Sequence, residues 1–155
     1  MNKDMKIIRE VNIQAEEFYE DARKLGDHAA YALKGVHRSQ MTSLENIAES
    51  AFKTSDILDY IKKQIARFPY WRQGLPGHDK PDEAFGELLK NYLEQDLVKK
   101  RDAICSPKRL AISDKTDADK QDRRRIYLLL IRQFLRQMIA QYEYQVSLGS
   151  NKREA

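Results

Sequence analysis

Arg123-Arg124-Arg125-Ile126-Tyr127-Leu128-Leu129-Leu130-Ile131-Arg132-Gln133-Phe134-Leu135-Arg136-Gln137-Met138-Ile139-Ala140 is the stretch whose reading decides the fold. Neither Pro nor Gly interrupts it, and most of its residues are good helix formers. At about 100° per residue, Tyr127, Leu128, Ile131, Phe134, Leu135, Met138 and Tyr142 share one broad face. Ile126, Leu129, Leu130, Ile139 and Ala140 fall outside that face, so the helix is apolar around most of its circumference. Such a helix runs through the middle of a bundle with neighbours on several sides. The pattern predicts a helix from Asp119 to about Val146. Its exception is a narrow stripe of Arg125, Arg132 and Arg136, and the segment from Arg123 to Arg136 holds five arginines and no acid.

The totals agree with a helical globule. A chain of 155 residues is about one domain, long enough to bury a core. With 6 Gly and 4 Pro against 34% charged and 41% hydrophobic residues, it reads as all-α rather than β or disordered. We expect a single compact bundle of about five helices over residues 1–148, and a polar, frayed tail over 149–155. The net charge of +4 is compatible with nucleic acid without requiring it. Cys105 is the lone cysteine, which excludes an internal disulfide and points to a reducing, cytoplasmic setting. No apolar run is long enough to span a bilayer, and the first residues carry no apolar signal region, so a soluble protein without membrane contact is expected.

Upstream, residues 3–25 form a first helix on the apolar series Ile7, Val11, Ala15, Phe18, Ala22 and Leu25, with acids on its outer face. Gly26 reads as its C-cap and Asp27 as the next N-cap. A short helix from His28 to about Lys34 ends at Gly35. Residues 40–67 then repeat the helical period through Leu44, Ile47, Ala51, Leu58, Ile61 and Ile65, starting from Ser39 or from a Thr42–Glu45 capping box. Two Gly and two Pro make the stretch after Arg67 a loop. A helix over 82–104 follows, in which Gly86 suggests a close approach to another backbone. Residues 105–118 form a second loop, and Asp117 or Asp119 caps the last helix. Phe18, Leu44, Ile61, Leu89, Ile131, Leu135 and Met138 are expected in the core.

Chemistry-bearing motifs are scarce. His28, His37, His78 and Cys105 have no metal-ligand spacing, and there is no phosphate-cradling Gly-rich loop and no Gly-x-Ser-x-Gly element. No cofactor is expected, and no enzymatic activity. A remote hint is Arg23-Lys-Leu-Gly-Asp-His28, which has the arginine-to-histidine spacing of helical HEPN ribonucleases, although Gly26 falls between the two. Basic groups are the better candidates. In the loop, Tyr70 and Trp71 either plug the bundle end or stack on an unpaired base while Arg67 and Arg72 hold phosphates. On the last helix, Arg125, Arg132 and Arg136 either pair with acids of neighbouring helices or present guanidinium forks to phosphate. Lys108 and Arg109 add a basic pair in the second loop.

Two regions together resemble the small helical subunit of type III CRISPR–Cas effector complexes, the Csm-type small subunit. One is Ala22-Arg-Lys-Leu25-Gly26-Asp-His-Ala29 leading to Ser39-Gln40-Met41 and an amphipathic helix. Many members similarly close a helix on Leu-Gly and open the next long one on Ser/Thr-Gln-Ile/Leu-Arg. The other is Phe134-Leu-Arg-Gln-Met-Ile-Ala140-Gln-Tyr142-Glu-Tyr144, similar to the family's aromatic and aliphatic ending. Thr42 stands where the family often has arginine, which makes Arg38 the candidate contact in its place. The resemblance covers about a third of the chain and implies a non-catalytic role: copies stack along a guide–target duplex, touch the backbone subunits and help position target RNA. The rival class is a protein–protein adaptor whose arginines pair with a partner's acids.

Overall fold

The computed structural model describes residues 1–154, with side chains through Gly149. Helices dominate it, and among the described residues there is no strand. The elements are α1 (Lys3–Glu17), α2 (Tyr19–Leu33), α3 (Arg38–Ser50), α4 (Thr54–Arg67), α5 (Phe85–Asn91), α6 (Leu97–Ile104) and α7 (Asp117–Glu154). A 3-10 turn, Pro69–Arg72, follows α4, and a π-helical turn, Tyr92–Asp96, joins α5 to α6. The chain is an all-α bundle built around α7, which packs against α1, α2, α3, α4 and α6. Phe18, Leu44, Ile61, Leu89, Ile131 and Met138 are 0% exposed and Leu135 is 1%.

The first helix bends where tertiary packing wins over local signal. Asn2 caps α1 by accepting from the Met5 N–H at 2.8 Å. At Phe18 the backbone leaves the helical well (φ −94°, ψ 6°). Even so, the bonds Phe18 N–H to Gln14 O and Ala22 N–H to Phe18 O, both 3.0 Å, carry the ladder across the kink. The Phe18 ring is buried edge-on against Phe134, with centroids 5.4 Å apart. Gly26 is therefore not a cap but lies inside α2. A Cβ there would sit 2.5 Å from Gln141 Cβ and 2.6 Å from the Met138 carbonyl O, so the glycine lets α2 and α7 lie backbone to backbone. α2 instead ends at Lys34 in the left-handed region (φ 55°), whose carbonyl accepts from the Tyr142 hydroxyl at 2.5 Å.

The expected helix over 40–67 is two helices. Ala51 turns to extended backbone (ψ 139°) after α3, and Lys53 is extended before α4. The start of α7 also differs from expectation. Thr116 Oγ1 accepts from the Asp119 N–H at 3.1 Å and is the cap, while Asp119 reaches back to the Ser113 N–H and hydroxyl at 3.1 and 2.7 Å. Those Ser113 bonds hold the Asp119 carboxyl below its usual range. α7 extends in helical form to Glu154, past the point where a frayed tail was expected. Gly86 does sit against another backbone, since a Cβ there would lie 2.9 Å from the Trp71 carbonyl O.

Candidate nucleic-acid interface

The aromatic loop closes one end of the bundle. Trp71 is 0% exposed, so its ring is packed in the core and has no free face for a base. This corrects the stacking role considered for it. Trp71 Nε1 donates to Gln40 Oε1 at 2.6 Å, and Gln64 Nε2 donates to the same oxygen at 2.8 Å. Gln40 Nε2 in turn donates to the Tyr70 hydroxyl, and the Tyr60 hydroxyl donates to the Gln40 carbonyl at 3.0 Å. Tyr70 stacks on His37 with centroids 3.7 Å apart. Gln40 thus satisfies the polar ends of aromatics whose bodies fill the bundle end.

Arg72 has a structural task too. Its guanidinium donates to the Ile65 and Ala66 carbonyls at 2.5 and 3.3 Å, acceptors that the end of α4 leaves open. Arg67 beside it is exposed and has no ion pair among the described residues.

The three arginines of the α7 stripe have separate fates. Arg132 donates from Nε to the Ala48 carbonyl and from its terminal nitrogen to the Ala51 carbonyl, both at 2.7 Å. It caps α3 and fixes the turn to α4, so it is not an available phosphate contact. Arg136 forms a fork with Glu49 at 2.5 and 2.7 Å, and that hydrogen bond lowers the Glu49 pKa from its ordinary value. Arg125 meets Asp4 at 2.6 Å with the pair well exposed to solvent. Exposed pairs of this kind contribute about 0–1 kcal/mol, so Arg125 and Arg136 exchange partners at little cost.

The remaining expected contacts are dispersed. Arg38 pairs with Glu143 at 3.0 Å, Arg109 with Glu10 at 2.5 Å, and Lys108 is exposed without an ion pair among the described residues. The set engages α1, α3, α4 and α7 rather than converging on one surface. Arg23 and His28 do not meet either. Arg23 pairs with Glu20 at 2.9 Å and lines a groove with Arg136 and Tyr144. His28 is buried, with Nε2 2.9 Å from the Gln73 carbonyl, and borders a different pocket with Asp21, His78 and Asp96. That oxygen only accepts, so Nε2 carries the proton. Burial lowers the His28 pKa from its ordinary value. Among the described residues no group of three or more His, Cys, Asp or Glu is arranged to hold a metal ion. None of the described helices is long and apolar enough to cross a membrane.

One basic surface survives, and sequence reading missed its centre. Phe52, in the turn that Arg132 pins, is 98% exposed. With Lys53 and Thr54 it forms one wall of a groove of about 440 Å³, and Gln121, Arg124, Arg125 and Leu128 of α7 form the other. Gln121, Arg124, Arg125, Leu128 and Arg132 follow the three- and four-residue spacing of one helix face. The wall residues include three cations and no carboxylate, and the Asp4 carboxylate that pairs with Arg125 comes from outside the wall. Arg124 has no ion pair among the described residues, and Lys53 makes only a loose contact of 3.6 Å with Asp56. The signal that locates the turn is Lys53-Thr-Ser-Asp56, a helix start inside an apolar period that reads as unbroken only because the break preserves its phase.

A search of family models, of curated proteins and of solved structures finds no match to this chain.

Proposed function

We propose that this chain is a non-catalytic RNA-binding small subunit of a type III CRISPR-type ribonucleoprotein complex, contacting guide or target RNA and neighbouring subunits in antiviral defence. The observation that carries the RNA contact is the groove between the α3–α4 turn and α7, with Lys53, Arg124 and Arg125 on its walls and no carboxylate among them. Cations held on a rigid helix face and a pinned turn form a local site for phosphates, which a net charge of only +4 does not supply at long range. The all-α bundle with a central closing helix agrees with what the family resemblance implies. Arg67, Lys108 and the solvent-exposed Arg38 and Arg136 are dispersed further cations that neighbouring copies bring to a stacked array, whereas Arg109 is held by the buried Glu10.

A second reading, the protein–protein adaptor, draws on α1. Met5, Ile8 and Ile13 are 56%, 47% and 40% exposed on that helix, and Met1 just before it is 67% exposed. In the favoured reading this apolar strip is where another subunit or a second copy docks. Salt dependence separates the two. Binding of single-stranded RNA through three cations falls with a log–log salt slope of about −2. Absence of RNA binding, or a slope near zero, leaves the adaptor as the better account.

A further inference from the structure

The geometry points to a base-stacking site at Phe52: an unpaired RNA nucleotide lies with its base on the phenyl ring and its phosphates against Lys53 and Arg124. This deepens the RNA-binding reading and rests on it. The other four phenylalanines are buried or half-buried, Phe18, Phe85 and Phe134 at 0% exposure, whereas Phe52 is 98% exposed. A ring in that position contributes nothing to packing, yet the turn that carries it is held firmly. Arg132 donates to the Ala51 carbonyl immediately before Phe52, and Ala51 itself is buried. The ring is thus displayed from a fixed backbone beside a groove with Lys53, Arg124 and Arg125 on its walls. An exposed aromatic flanked by cations is the composition that takes single-stranded nucleic acid, because every base has a face to stack while the backbone needs positive charge. Thr54 and Gln121, on opposite walls, offer neutral donors and acceptors to the base edge.

The ring, not the charge, decides the occupant. An acidic peptide with an apolar anchor would meet the same cations, but it would use any apolar side chain at position 52, whereas stacking requires a ring. Arg132 acts here as a positioning residue, since it fixes the turn without lining the groove.

The test uses the full chain, a fluorescent mixed-sequence single-stranded RNA, and the same strand with one abasic position. Phe52→Ala, Phe52→Leu and Phe52→Tyr are compared with Arg124→Glu, and denaturation midpoints check that each is folded. We expect Phe52→Ala and Phe52→Leu to weaken binding of the intact RNA about tenfold. Phe52→Tyr should retain it, and a 2-aminopurine in the strand should be quenched by wild type but not by Phe52→Leu. Wild-type affinity in Phe52→Leu overturns the stacking site and favours an apolar-anchored protein partner. Loss of affinity in Arg124→Glu with none in Phe52→Ala overturns stacking while RNA binding stands. Absence of wild-type RNA binding overturns both.

Discussion

Replacing Arg132 by Met should cost far more stability than replacing either of its companions on the α7 stripe. Arg132 bonds two backbone carbonyls, Ala48 and Ala51, at 2.7 Å each, and both parent residues are buried. Met has similar length but no donor, so both acceptors are left open at the end of α3. A buried acceptor without a partner costs about 1–3 kcal/mol, which gives about 2–6 kcal/mol for the pair. Arg125→Met and Arg136→Met remove solvent-exposed ion pairs and should cost about 0–1 kcal/mol each. In a chain of this size, 1 kcal/mol shifts Tm by about 2–4 °C, so the Arg132 variant should melt at least about 4 °C below wild type and at least about 2 °C below the other two variants. Urea denaturation of the three variants side by side reads the order directly. Equal midpoints for all three would refute the capping role and return Arg132 to the set of surface cations.

Gly26→Ala sets helix propensity against close packing. Alanine gains about 1 kcal/mol in a helix interior, but its Cβ would meet the Met138 carbonyl O at 2.6 Å, and overpacking of that kind costs about 1–3 kcal/mol. A lower urea midpoint is expected, and an unchanged or higher one would show that α2 and α7 are not in backbone contact there. His28 should make stability depend on pH near neutrality. Burial depresses its folded pKa below the ordinary 6.5, so the unfolded chain binds the proton first and stability falls as pH drops below about 6.5. Midpoints measured across that range should decline for wild type and flatten in His28→Gln; parallel curves for the two would remove His28 as the cause.

The last helix was legible because its apolar residues surround most of the axis, a pattern that only a central position explains. Gly26 was not, since a glycine near a helix end reads equally as a cap or as a point of contact. Only the distant Met138 carbonyl, on α7, distinguishes them. The break at Ala51–Lys53 was hidden because the apolar spacing resumes in phase on the far side. The arginine stripe shows the limit of charge counting. Its spacing places three side chains on one face, but the sequence does not say that Arg132 would find carbonyl oxygens where Arg136 finds a carboxylate. Trp71 belongs to the same class of problem, because an aromatic beside proline in a loop is buried only if a partner such as Gln40 reaches its indole nitrogen. Phe52 lay inside what read as a continuous helix, and nothing local marks a side chain as fully exposed.

The central claim is that the groove between the α3–α4 turn and α7 binds RNA through phosphate contacts. Filter binding of single-stranded RNA at two or more salt concentrations, with wild type and Arg124→Ala, tests it most directly. A wild-type log–log slope of about −2, made shallower by about 0.7 in Arg124→Ala with the fold intact, is the predicted result. Identical slopes and affinities for the two proteins would contradict it.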